Sequence, residues 1–162
     1  MSTIATTLAK YRAYHLDRRN VATHALGVPM IVLAVEILLS RPQMAFAGAT
    51  ISPAMVFSAL SAVYYLRLDL RFGLVLTAIL AAFAAIGLWI GAQSTRVWLT
   101  AGIGLFVIGW AFQVVGHKYE GRKPAFIDDL ESLMVGPLFM LAELAFALGL
   151  RRDLHDEVVR AA

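Results

Sequence analysis

The sequence predicts an all-α fold, a polytopic helical membrane bundle, and three observations carry that prediction. Of its 162 residues, 60% are hydrophobic and 15% charged, whereas a soluble domain is roughly 45–50% apolar and about 25% charged. The apolar residues gather into five runs, near the roughly 20 residues needed to cross a hydrocarbon core. Each run is apolar on every face, without the alternation of barrel strands, and helices are then the structures that satisfy their own backbone in lipid. The expected organisation is one domain over residues 1–162. About five hydrophobic helices (20–150) follow an amphipathic interfacial helix (1–19) and precede a charged tail (151–162).

In chain order, Ile4, Leu8, Tyr11 and His15 form one helical stripe. Lys10, Arg12, Arg18 and Arg19 flank it with cations, as suits a helix lying at the headgroups. The first span runs from Val21 to Leu39, with Asn20 as its expected cap. It is too long, and through Glu36 too polar, for a signal-peptide core, so it is read as retained. Residues from Arg41 to Ser52, with Pro42 and Gly48, read as a loop. Further runs extend from Ile51 to Leu66, Phe72 to Ala92, Val97 to Gly116 and Leu133 to Leu150. Gly102, Gly104 and Gly109 read as helix-packing positions, Trp89 and Trp98 as interface anchors, and Trp110 as bundle packing. Asp128, Asp129 and Glu131 read as caps of the fifth helix.

The formal charge of +3 is modest and the chain has no cysteine. Disulfide frameworks, cysteine-based zinc sites and thiol nucleophiles are thereby excluded. The scattered basic residues argue against a nucleic-acid surface. With five spans, Lys10, Arg12, Arg18, Arg19, Arg67, Arg71, Lys118, Arg122 and Lys123 fall on one side. Arg41, Arg96, Arg151, Arg152 and Arg160 fall on the other. The positive-inside rule then puts the amino terminus in the cytoplasm. The membrane expected is a bacterial inner membrane, or the endoplasmic reticulum in a eukaryote.

The histidines mark the candidate site. This topology brings His15, His24 and His117 to one membrane face beside Glu120, and leaves His155 in the tail on the other. On one continuous helix His15 and His24 would be half a turn out of phase and about 13.5 Å apart in rise. A shared metal therefore requires a bend near Asn20. His117 and Glu120, at i and i+3, share a helical face. Pro29 and Pro137 can open room at similar depths. Glu143 reads as supporting the site or as a helix–helix bond, and Glu36 as structural. No phosphate loop, Walker motif or Ser-His-Asp arrangement is present.

Tyr14-His15-Leu16-Asp17-Arg18-Arg19-Asn20 with His24-Ala25-Leu26-Gly27-Val28-Pro29 resembles the opening of the membrane 2-hydroxy fatty acid dioxygenase family. The stretch from Trp110 to Glu120, continuing through Lys123-Pro124-Ala125, and that from Leu133 to Glu143 resemble two further blocks. The resemblance implies an Fe(2+)-dependent oxygenase that shortens a 2-hydroxy fatty acid by one carbon with O2 and releases CO2. It maps the family's histidines onto His15, His24 and His117, with Glu120 as nearby carboxylate. Imidazoles independently suit Fe, Zn, Cu or Ni. Glu120 is then a fourth ligand or a base, Asn20 and Tyr119 orient ligands, and Lys118, Arg122 or Lys123 attract the fatty acid carboxylate. The rival readings are a zinc-dependent membrane hydrolase, since histidines alone do not select iron, and a non-enzymatic lipid-binding or transport protein.

Overall fold

The computed structural model describes residues 2–46, 48–121 and 131–161. Among them are seven helices and one small hairpin: α1 (Thr3–Arg12), α2 (Arg18–Ser40), β1 (Met44–Phe46), β2 (Ala49–Ile51), α3 (Pro53–Leu68), α4 (Leu70–Gly91), α5 (Thr95–Glu120), α6 (Ser132–Ala147) and α7 (Arg152–Ala161). The all-α expectation holds, with α2 to α6 as the five apolar helices. Of these, α2, α4 and α5 are long and apolar enough to cross a membrane. At 16 residues, α3 is about 24 Å long and falls short of the hydrocarbon thickness. The fifth run is also broken: α6 spans 16 residues, and α7 leaves it at 119°. Among the described residues three helices have the length to cross, or four spans if α6 and α7 together form one bent span.

The chain packs as two compact units, residues 29–111 and residues 1–28 with 112–162. In the first, small residues set the helix contacts. A Cβ at Gly73 would lie 2.7 Å from the Leu66 backbone across the α3–α4 pair, and one at Gly87 2.8 Å from the Glu36 carbonyl. Gly102 packs on Leu38 as expected, but Gly104 faces open space. Ser52 caps α3 and Asp69 caps α4, each accepting a backbone N–H. Glu36 is fully buried and accepts from Ser58 Oγ at 2.6 Å, a structural role as expected. Trp89 is exposed. Trp98 donates to the Ile37 carbonyl at 2.7 Å, beneath the Arg41 guanidinium. Trp110 packs edge-on against Phe106. The stretch read as loop carries the antiparallel hairpin, with Met44 opposite Ile51 and Gly48 at φ +82° in its turn.

In the second unit α1 packs on α6 and α7. Ile4, Leu8 and Tyr11 are buried, confirming the amphipathic stripe. The expected charged tail is instead α7, because Leu154 and Val158, four residues apart, bury one face. Ser2 donates to the Glu157 carboxylate through its backbone N–H (3.2 Å) and its hydroxyl (2.8 Å). The two ends of the chain therefore lie together. Pro29 and Pro137 both sit inside helices. Glu131 occupies the N-cap position of α6 without a side-chain cap bond, while Asp128 and Asp129 lie outside the described residues.

Candidate metal centre

The bend the histidines require is present, a few residues earlier than expected. α1 ends at Arg12, and the Tyr14 and His15 backbone N–H groups close tight turns onto the Tyr11 and Arg12 carbonyls. The chain restarts as α2 at Arg18. Asp17, rather than Asn20, caps that helix, accepting from the Arg19 backbone N–H at 2.8 Å. Its short carboxylate sits just outside the first turn, where a cap must be. The Arg19 side chain also binds this carboxylate and holds its pKa below the usual range.

This turn carries His15 back over α2. His15, His24 and His117 are 3%, 2% and 8% exposed. Their ring centroids are separated by 4.5 Å (15–24), 4.9 Å (24–117) and 5.3 Å (15–117). One ligand nitrogen from each lies within 4.8 Å of the others. His15 Nδ1 is 3.0 Å from the Tyr11 carbonyl, and His24 Nδ1 is 3.0 Å from the Asn20 carbonyl. A carbonyl only accepts, so each Nδ1 carries the proton and each Nε2 presents a lone pair. Burial pushes His15 down to about pKa 4, only partly offset by its bond to Tyr11. It is therefore neutral near pH 7, the form a ligand needs.

The donor set fits a metal ion. His15 Nε2 and His117 Nδ1 are buried without a hydrogen-bond partner, and buried polar atoms left unpaired are uncommon. A single cation facing both nitrogens would satisfy them.

Glu120 belongs to the same unit but is engaged otherwise. Its two carboxylate oxygens accept from the Leu16 N–H (3.0 Å), the Asp17 N–H (2.9 Å) and Asn20 Nδ2 (3.0 Å). Asn20 Nδ2 also donates to the Tyr14 carbonyl at 3.3 Å. Glu120 and Asn20 thus tie the bend to the end of α5. Gly116 permits the close approach: a Cβ there would collide with Asn20 Oδ1 and Thr23 Oγ1.

The remaining expected residues are dispersed. Tyr119 is 46% exposed with Arg19 stacked on its ring at 4.5 Å, so it does not join the histidines. Glu143 pairs with Arg12 at 3.6 Å, a contact between α6 and α1. Lys118 is exposed near the end of α5, and Arg122 and Lys123 lie outside the described residues. His155 lies against Phe146 and pairs with Asp156, apart from the cluster. Sequence reasoning missed Tyr11, whose ring stacks on His15 at 4.3 Å and 5°, and Phe139, 5.6 Å from His15. The four-residue spacing of Tyr11 and His15 was a usable signal for the first. Nothing local announced the second.

Three buried imidazoles that converge where apolar helices α2 and α5 meet the α1–α2 turn define a helical membrane protein with a candidate metal centre. The chain belongs to the Mpo1-like family of 2-hydroxy-palmitic acid dioxygenases, whose model matches residues 1–148. It is 38% identical over 146 residues to the 2-hydroxy-palmitic acid dioxygenase MPO1 of Saccharomyces cerevisiae, covering 88% of this chain and 79% of the yeast protein. No solved structure matches it.

Proposed function

We propose that this protein is an Fe(2+)-dependent membrane dioxygenase that converts a 2-hydroxy fatty acid and O2 into the fatty acid one carbon shorter, CO2 and water. The observation that carries this reading is the convergence of His15, His24 and His117 in a chain of this family. The reaction balances as written, O2 accepting the four electrons released when the C1–C2 bond breaks and C2 becomes a carboxyl carbon.

Bound iron would supply the Lewis acidity and the path for electrons from substrate to O2 that no side chain offers. The protein's own contribution is positional. The Tyr11 and Asn20 carbonyls hold His15 and His24 in the ligating tautomer. Tyr11 and Phe139 flank His15 and limit water on that side. With its oxygens already occupied, Glu120 is better assigned to holding the bend than to ligation or base catalysis. Lys118, with Arg122 and Lys123 beyond it in sequence, would draw the fatty acid anion to headgroup level, leaving the acyl chain among apolar helices. The bilayer is the source of such a substrate.

The test is anaerobic Fe(2+) loading of detergent-purified protein, followed by 2-hydroxypalmitate and O2. Wild type is expected to bind about one iron per chain, consume O2 and release CO2 with the shortened acid. His117→Ala is expected to lose both iron and turnover. Turnover that continues without O2 would favour the zinc hydrolase, and flux into liposomes with no chemical change would favour transport.

A further inference from the structure

Gln113 lies one helical turn before His117, and Gln113, Gly116 and His117 form the buried face of this end of α5. Its side chain is 6% exposed, yet its Nε2 donates to nothing. A buried amide donor without an acceptor carries an uncompensated desolvation cost. Such a group in a native protein calls for an explanation, and a missing ligand is one.

The helix register indicates where such a ligand would sit. Glu120 bonds to Asn20, and Gly116 packs against Thr23 and His24, so α5 and α2 run antiparallel here. One turn further along, this register carries Gln113 in the direction of Gly27, which is also buried. The neighbouring donors are already committed, while Asn20 Oδ1 is a buried acceptor that likewise has no partner. Asn20 Nδ2 serves Tyr14 and Glu120, and Thr23 Oγ1 donates to the Asn20 carbonyl. Gln113 Nε2 therefore remains as a donor beside the histidines.

We propose that Gln113 Nε2 donates a hydrogen bond to the carboxylate of the 2-hydroxy acid, and so helps the site select a free acid over a neutral lipid. The proposal rests on the dioxygenase reading and names the group that recognises its substrate. A carboxylate is acceptor-only and costly to bury without donors. An acyl chain offers Nε2 nothing, and a carboxylate oxygen turned away from a metal offers what it lacks.

The experiment compares equilibrium binding of 2-hydroxypalmitate and 1,2-hexadecanediol, anaerobically, to Fe(2+)-loaded wild type and Gln113→Met. The diol replaces the carboxylate by a hydroxymethyl group, and Met keeps the volume of Gln without the donor. Gln113→Met is expected to retain full metal content and to bind the acid about tenfold more weakly or worse, with diol binding unchanged. Equal losses for both ligands, or none, would overturn the proposal. Gln113→Asn, which keeps an amide but withdraws it, should lose the same preference. If neither variant holds metal, Gln113 serves the fold and the proposal is overturned. O2 consumption by wild type is scored separately. A silent wild type counts against the dioxygenase reading, and an active one with undiminished acid preference in Gln113→Met counts against Gln113 alone.

Discussion

His15 is a ligand candidate whose basicity the fold suppresses. Its pKa near 4 in the folded protein stands against about 6.5 in the unfolded chain. Below pH 6.5 the unfolded state binds the extra proton first. The metal-free protein should therefore lose stability as pH falls from about 6.5 to 4, by up to about 3 kcal/mol. His15→Gln should flatten that slope in thermal melts; an unchanged slope would assign it to other groups. Gly116→Ala should force α5 from α2, cost about 1–3 kcal/mol and lower metal content at equal protein concentration. The three histidines were legible because span order alone puts them on one face. The partners of Glu120 and the outward turn of Tyr119 were not, because both depend on how α5 is rotated against the bend.

The element that makes the centre is the bend between α1 and α2, and Glu120 is its clasp. Glu120→Ala would strand two backbone N–H groups and Asn20 Nδ2. It should cost about 1.5–3 kcal/mol and weaken metal binding, while Fe(2+) in excess restores the stoichiometry. A metal content that excess Fe(2+) cannot restore would make Glu120 a ligand after all. The bend was legible from the half-turn mismatch between His15 and His24. The helix α7 was not, because six polar or charged residues mask the two that pack, Leu154 and Val158. Leu154→Ala should cost about 2–3 kcal/mol in chemical or thermal unfolding and loosen α1.

For the whole molecule, the joining of α1 to α7 changes how the cations are counted. If the two joined ends share a membrane face, Arg151, Arg152 and Arg160 would count with the amino-terminal cations. A shared face for the two ends is the expected arrangement. The cysteine-free sequence makes it directly measurable. Single cysteines at Thr3 and Val159 should react with an impermeant maleimide from the same side of sealed vesicles, and one at Gln43 from the opposite side. Labelling of Thr3 and Val159 from opposite sides would restore the five-crossing count.

The distance along the chain between His24 and His117 also sets an order of assembly. At roughly 10 residues per second, the ribosome delivers His117 about ten seconds after His24. Until α5 has entered the membrane, His15 and His24 are a two-nitrogen fragment without the Glu120 clasp. Metal loading at this centre would then be a post-insertion step, and a nascent chain stalled before α5 should leave the translocon empty of metal.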